Sequence, residues 1–177
     1  MEIDVQTVRK AIDGDADAFV SLYGDMYKAM YRYAYFLLGR SADAEDAVAD
    51  TVVDAWEGIG ALRVPEAFSI WIYRILSAKC KRRRAYYSEE PGSLDYSVPG
   101  EGSRKVDEAL KTSGIESPEE ALSLLSGLDE TDRNIILLHV IAGFKTREIA
   151  DMLDMRATTV RSRENRALRK LRRKLGE

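Results

Sequence analysis

Apolar residues recur three and four positions apart through most of this chain, and that spacing constrains its fold more than any other feature. Phe19, Leu22, Tyr23, Met26, Met30, Tyr33, Ala34 and Leu37 predict one long amphipathic helix. Gly39 stands where a C-terminal cap belongs. Ser41 is placed to cap the next helix, with Asp43 and Glu45 in its first turn. Ala44, Ala47, Val48, Val52, Ala55 and Trp56 form that helix's stripe, which Gly58 and Gly60 end. Pro65 fits the first turn of a further helix, where Phe68, Trp71, Ile72, Ile75 and Leu76 repeat. No segment alternates with period two for long enough to make a strand. The fold class expected is all-α.

The pattern fails from Ser88 to Ser117. Pro91, Gly92, Pro99, Gly100, Gly102 and Gly114 lie there among Ser, Asp and Glu, a linker composition with one short helix near Val106–Lys111. Periodicity resumes near Pro118 with Ala121, Leu122, Leu124 and Leu125, then Ile135 to Leu138, with Asp129 as N-cap of the second run. Two small helical domains, 1–87 and 118–177, on a flexible acidic linker, 88–117, account for this order.

Residues 146–160 have the spacing of a helix-turn-helix. Ile149 and Leu153 face inward, Ala150 is small where a second helix must cross, Met155 anchors the turn and Val160 the second helix. Val160, Ala167, Leu168, Leu171 and Leu175 then make one apolar face. Thr158, Arg161, Ser162, Asn165, Arg166 and Arg169 lie on or beside the opposite one. Arginine pairs with guanine and asparagine with adenine in the major groove, so this face suits DNA better than a merely solvated helix would require.

A formal net charge of −3 over 177 residues conceals strong segregation. Residues 41–60 carry six acidic and no basic residues; residues 79–84 hold five basic ones; residues 156–174 hold nine basic residues and one Glu. Such blocks point to separate surfaces for separate partners, or, for any one block, to a solvated helix face. Cys80 and His139 are each the sole residue of their kind, which argues against a zinc cluster or a His-dependent triad. His139 reads as a satisfied, semi-buried histidine. Cys80, beside Lys79 and Lys81, reads as a passive thiol over a redox sensor. No metal, cofactor or catalytic residue is expected. No apolar run approaches the roughly 18–20 residues that span a bilayer, so no membrane insertion is expected and the location expected is cytoplasmic.

Several motifs occur in order along nearly the whole chain: Gly14-Asp15-x-x-Ala18-Phe19-x-x-Leu22-Tyr23, Tyr31-Arg32-x-Ala34-Tyr35-x-Leu37-Leu38-Gly39, Asp43-Ala44-Glu45-Asp46-Ala47-Val48, Ala55-Trp56 and Phe68-x-x-Trp71-Ile72-Tyr73-Arg74-Ile75. Beyond the linker come Leu128-x-x-x-Asp132-Arg133, Gly143-Phe144, Glu148-Ile149-Ala150 and Thr159-Val160-Arg161-Ser162-Arg163-x-x-Arg166-Ala167. In order and spacing the chain resembles the extracytoplasmic-function (ECF, group 4) sigma factors of bacterial RNA polymerase.

The resemblance implies a promoter-recognition subunit, not an enzyme, with core RNA polymerase and promoter DNA as partners and an anti-sigma factor as regulator, at work near the nucleoid. It assigns Asp43, Glu45, Asp46 and Asp50 to docking on the clamp helices of the largest polymerase subunit. It assigns the turn from Leu62 to Phe68 to capture of a flipped base of the downstream, −10-type element. Arg63, Arg74, Lys79 and Lys81–Arg84 would supply cations for the single strand. Phe68 and Trp71 are candidate stacking platforms, although their spacing with Ile72 and Ile75 favours core packing. Thr158, Arg161, Ser162, Asn165, Arg166 and Arg169 would meet the upstream, −35-type element. The acidic linker would thread the polymerase near its active centre or serve as a plain tether.

The chain departs from the family pattern at Asp154, in a turn position where glycine is usual, at Lys145 and Arg156, where small hydroxyl caps are common, at Glu164, where an apolar residue is frequent, and at Ala78, in place of a common asparagine. Two readings compete with the sigma-factor one. A conventional helix-turn-helix regulator would bind DNA without programming polymerase. An enzyme would need a glycine-rich phosphate loop, paired metal ligands or a nucleophile–base pair, and none is evident in the sequence.

Overall fold

A computed structural model describes residues 3–88 and 118–175, and every regular element among them is helical. The predicted short helix near Val106–Lys111 lies outside the described residues. The first unit begins with α1 (Val5–Ile12), whose N-terminus is capped by the Asp4 carboxylate accepting from the Gln6 and Thr7 amides. The Asp15 carboxylate caps α2 (Ala16–Leu38) by accepting from the Ala18 amide at 3.0 Å. Gly39, at φ 78°, ends α2 in the left-handed conformation that glycine adopts without steric cost. Next come α3 (Ser41–Gly58), 3₁₀ turns at Ile59–Ala61 and Pro65–Ala67, and α4 (Phe68–Ser88).

Two local expectations need correction. Ser41 is the first residue of α3 rather than its cap; Arg40 holds the cap position without a side-chain capping bond, and its guanidinium pairs with Asp43 in the first turn at 3.3 Å. Pro65 opens a 3₁₀ turn that feeds α4 rather than the α-helix itself, which starts at Phe68.

The core of this unit is where α2, α3 and α4 converge. Met26, Met30, Tyr33 and Ala34 of α2 meet Ala44, Ala47 and Ala55 of α3 and Phe68, Ile72, Leu76 and Cys80 of α4. The alanine stripe of α3 lets the larger α2 and α4 side chains fill the space between the helices. Truncating a fully buried member such as Met30 to alanine costs about 2–5 kcal/mol.

The second unit comprises α5 (Pro118–Ser126), α6 (Glu130–Val140), α7 (Thr146–Leu153) and α8 (Ala157–Leu175). Asp129 caps α6 by accepting from the Asp132 amide at 2.9 Å, as its position in the sequence predicts. The α7–α8 turn passes through Asp154 at φ 51°, a left-handed conformation that aspartate tolerates better than most residues. Ile149, Ala150 and Val160 are buried where α7 and α8 cross, and Met155 is half-buried in the turn. These are the packing positions of the predicted helix-turn-helix.

The two units touch. Tyr73 meets Phe144 edge-on, with ring centroids 5.0 Å apart. The Tyr33 hydroxyl donates to Asn134 Oδ1 at 2.7 Å, and Asn134 Nδ2 donates to Ser77 Oγ at 3.3 Å. Arg74 Nη2 donates to the Asp151 carbonyl at 2.7 Å. A cleft of about 510 Å³ beside these contacts, lined by residues including Leu37, Arg84, Met152 and Met155, shows that the junction is not packed as a continuous core.

Candidate nucleic-acid and protein interfaces

Helix α8 separates its two faces cleanly. At 3.6 residues per turn, Thr158, Arg161, Ser162, Asn165, Arg166 and Arg169 fall within an arc of about 140°, and all six are exposed. Val160 and Ala167 point the opposite way and are fully or almost fully buried. A shallow depression of about 350 Å³ opens beside Thr158, Ser162 and Arg166. The sequence-predicted upstream-element residues therefore share one free face of one helix, an arrangement that can enter a major groove.

The acidic residues of α3 are less uniform. Glu45, Asp46 and Asp50 are exposed, whereas Asp43 is buried. Arg83 of α4 reaches across to them: its guanidinium lies 2.9 Å from Asp50, 3.2 Å from Asp46 and 4.0 Å from Asp43. Burial would lower the pKa of Arg83, but the Asp50 hydrogen bond and the charges of Asp46, Asp50 and Asp43 outweigh it and raise the value. The docking candidates are thus partly neutralised from within, and Glu45 is the member that Arg83 does not touch.

The downstream-element candidates are scattered in role. Arg63 and Lys81 are exposed. Phe68 is 1% exposed and belongs to the core, and so cannot be a stacking platform without leaving it. Trp71 is half-buried against Phe68 and Gly58. Lys79 is drawn into an ion pair with Asp54 at 2.6 Å, and Arg74 is held by the second unit. The basic run of α4 is therefore divided, with Lys79 and Arg83 bonded inward to α3 and Lys81 and Arg82 facing outward.

Cys80 is fully buried, and burial pushes its thiol up to about 12, which suits the passive reading. Among the described residues no three His, Cys, Asp or Glu side chains are grouped to hold a metal. His139 Nδ1 lies 3.1 Å from the Phe144 carbonyl, which can only accept. Sequence reasoning missed Arg83 and Arg163 as internal clamps and Tyr33 and Asn134 as a contact between units. The only signal for the clamps was that each arginine sits in register with acids on a neighbouring helix.

Comparison with known proteins fits this geometry. Residues 22–88 match the model of Sigma-70 region 2, and residues 119–171 match that of Sigma-70 region 4. The ECF RNA polymerase sigma factor SigL of Mycobacterium tuberculosis is 32% identical over 177 residues, covering 96% of this chain and 96% of the relative. The chain belongs to the ECF RNA polymerase sigma factors. SigW of Bacillus subtilis is 27% identical, over 95% of this sigma factor and 94% of the relative. The structure of CnrH in complex with the cytosolic domain of CnrY superposes with a TM-score of 0.71 at 26% identity, covering 98% of this chain and 97% of that one. As a sigma factor the protein binds core RNA polymerase and directs promoter-specific transcription initiation; its families are regulatory rather than catalytic. Among the described residues no helix is long and apolar enough to cross a membrane.

Proposed function

We propose that this sigma factor is of the group 4 type and divides its work between two units. Residues 1–87 dock on polymerase and read and melt the downstream element; residues 118–177 read the upstream element; residues 88–117 link them. The observation that carries this division is α8, whose six polar side chains share one exposed face while the opposite face is buried in a helix-turn-helix. Arg161, Ser162, Asn165 and Arg166 contact base edges, and Thr158 and Arg169 flank them. In the first unit Glu45, Asp46 and Asp50 present the docking charge, with Asp43 as the buried anchor of that cluster. Arg63 and Lys81 meet the opened downstream strand, joined by Arg74 once the second unit releases it. Trp71 borders that path, while Phe68 and Lys79 support it from within.

An anti-sigma factor covers the protein when it is idle. Support comes from CnrH, whose similar chain was solved with the cytosolic domain of CnrY. In its active form the protein associates with the nucleoid through promoter DNA. Permanganate reactivity of promoter thymines tests the division of labour. With core polymerase, Arg63→Ala and Lys81→Ala should reduce opening at the downstream element and leave footprinting of the upstream element in place. Loss of the upstream footprint in either variant, with opening retained, would reverse the assignment.

A further inference from the structure

Arg163 and Glu164 are consecutive on α8, and neither belongs to the face assigned to DNA. At 100° per residue they flank the buried Val160–Ala167 stripe, one on each side. Helix α6 lies against that stripe, and its two ends meet the two charges. At the N-terminal end, Arg163 Nη1 donates to the buried Asp132 carboxylate at 2.6 Å and to Asp129 at 3.3 Å. Asp129 is the cap of α6; the Asp132 amide bond and the adjacent Arg163 hold its carboxyl below the usual carboxylate range. At the C-terminal end, the Thr146 hydroxyl of α7 donates to the largely buried Glu164 carboxylate at 3.5 Å, and His139 Nε2, which bonds it only when protonated, lies 3.5 Å away.

We propose that Arg163 and Glu164 form a two-point clamp that fixes the rotation of the recognition helix, making them, with Asp132 as the partner of Arg163, positioning residues for upstream-element specificity. This rests on the reading of α8 as the base-reading helix. A helix packed only through a stripe of valine, alanine and leucine can roll about its axis at little cost, because apolar contacts carry no direction. Two polar contacts of opposite sign, one on each side of the stripe and at opposite ends of the helix beneath, remove that freedom. A roll toward either side lengthens one of them. The side chains so aligned lie on the neighbouring turns: Ser162 and Arg166 beside Arg163, and Arg161 and Asn165 beside Glu164. This also accounts for an acid beside the buried stripe of the helix at Glu164.

The test is transcription by the full-length protein with core polymerase on promoters carrying every single-base substitution in the upstream element and a fixed downstream element. A well-read base pair separates match from mismatch by roughly five- to hundredfold. Asp132→Asn, which alters a buried residue on α6 rather than the DNA face, should shrink that spread severalfold at several positions together. It should leave core binding and the ranking of downstream elements unchanged. Arg163→Lys should give an intermediate spread, and the exchange of Arg163→Asp with Asp132→Arg should restore it. Thermal melting of each variant places the assay below its unfolding transition. If Arg161→Ala relaxes specificity while Asp132→Asn leaves the full spread intact, the clamp is overturned and base reading stands. If Arg161→Ala also leaves the ranking intact, base reading fails and takes the clamp with it. If Arg163→Ala relaxes one position only and Asp132→Asn none, Arg163 contacts DNA itself and the clamp is overturned.

Discussion

Replacing Asn134 by alanine should open the protein without unfolding it. Asn134 joins residues far apart in the chain: it accepts from the fully buried Tyr33 hydroxyl at 2.7 Å and donates to Ser77 at 3.3 Å. Stranding a buried hydroxyl costs about 1–3 kcal/mol. Ser77 also faces Tyr33 and can take over part of the bond, so the single variant should cost about 1 kcal/mol, the lower end of that range. Adding Ser77→Ala removes the substitute and should bring the cost toward about 3 kcal/mol. The contact lies between two units that match separate family models, so the cost falls on the closed arrangement and not on either unit's own fold. The ratio of open to closed molecules should then rise roughly fivefold and roughly 150-fold, respectively. The assay is single-molecule energy transfer between dyes on cysteines introduced at the exposed Ala42 and Arg172 positions, with the native Cys80 too buried to label. Unchanged distance distributions in both variants, with a lowered melting temperature, would instead make the two units one folding body.

Three further outcomes follow from the same geometry. Glu45→Lys reverses an exposed charge that Arg83 does not touch, so co-purification with core polymerase should weaken, more so at low salt, while the helical melt stays put; full retention would remove Glu45 from the docking surface. Arg161→Ala and Arg166→Ala should reorder the ranking of upstream elements, whereas Lys170→Ala should lower binding to all of them alike and reduce the salt slope by about one unit; Lys170 is the better phosphate probe because the end of Lys174 folds over Gly127. Cys80, with its thiol raised to about 12, should resist alkylation at pH 8 in the native protein and react promptly in denaturant. Its folded value lies above the unfolded one, so its contribution to stability is full below about pH 9 and fades as pH climbs toward 12; native alkylation at the denatured rate would contradict the burial.

How much of this was legible in the sequence depends on the range of the interaction. The long α2 helix, the Gly39 and Asp129 caps and the two faces of α8 are set by residues a few positions apart, and spacing alone reveals them. The Ser41 cap failed because the choice between Ser41 and Arg40 turns on a local bond, and Arg40 found a partner in Asp43. The fates of the basic side chains in α4 were not legible. Lys79, Lys81 and Arg83 are chemically alike in a run, yet Lys79 and Arg83 meet acids on α3 and Lys81 meets solvent, which only the helix crossing decides. The same holds for Tyr33 and Asn134, whose pairing spans two units, and for Arg163, which reads as one more cation until Asp132 is seen beneath it.

On the proposed reading, this chain programs polymerase through two separately read elements. Run-off transcription with core polymerase and a library randomised at both elements tests it most directly. Core alone should give no specific transcript. With the protein present, a discrete promoter set carrying preferred bases at both elements should appear, and Arg161→Ala should relax only the upstream preference. Binding of the protein alone to a specific duplex site, with no promoter-specific transcript from the reconstituted enzyme, would instead mark the chain as a conventional helix-turn-helix regulator.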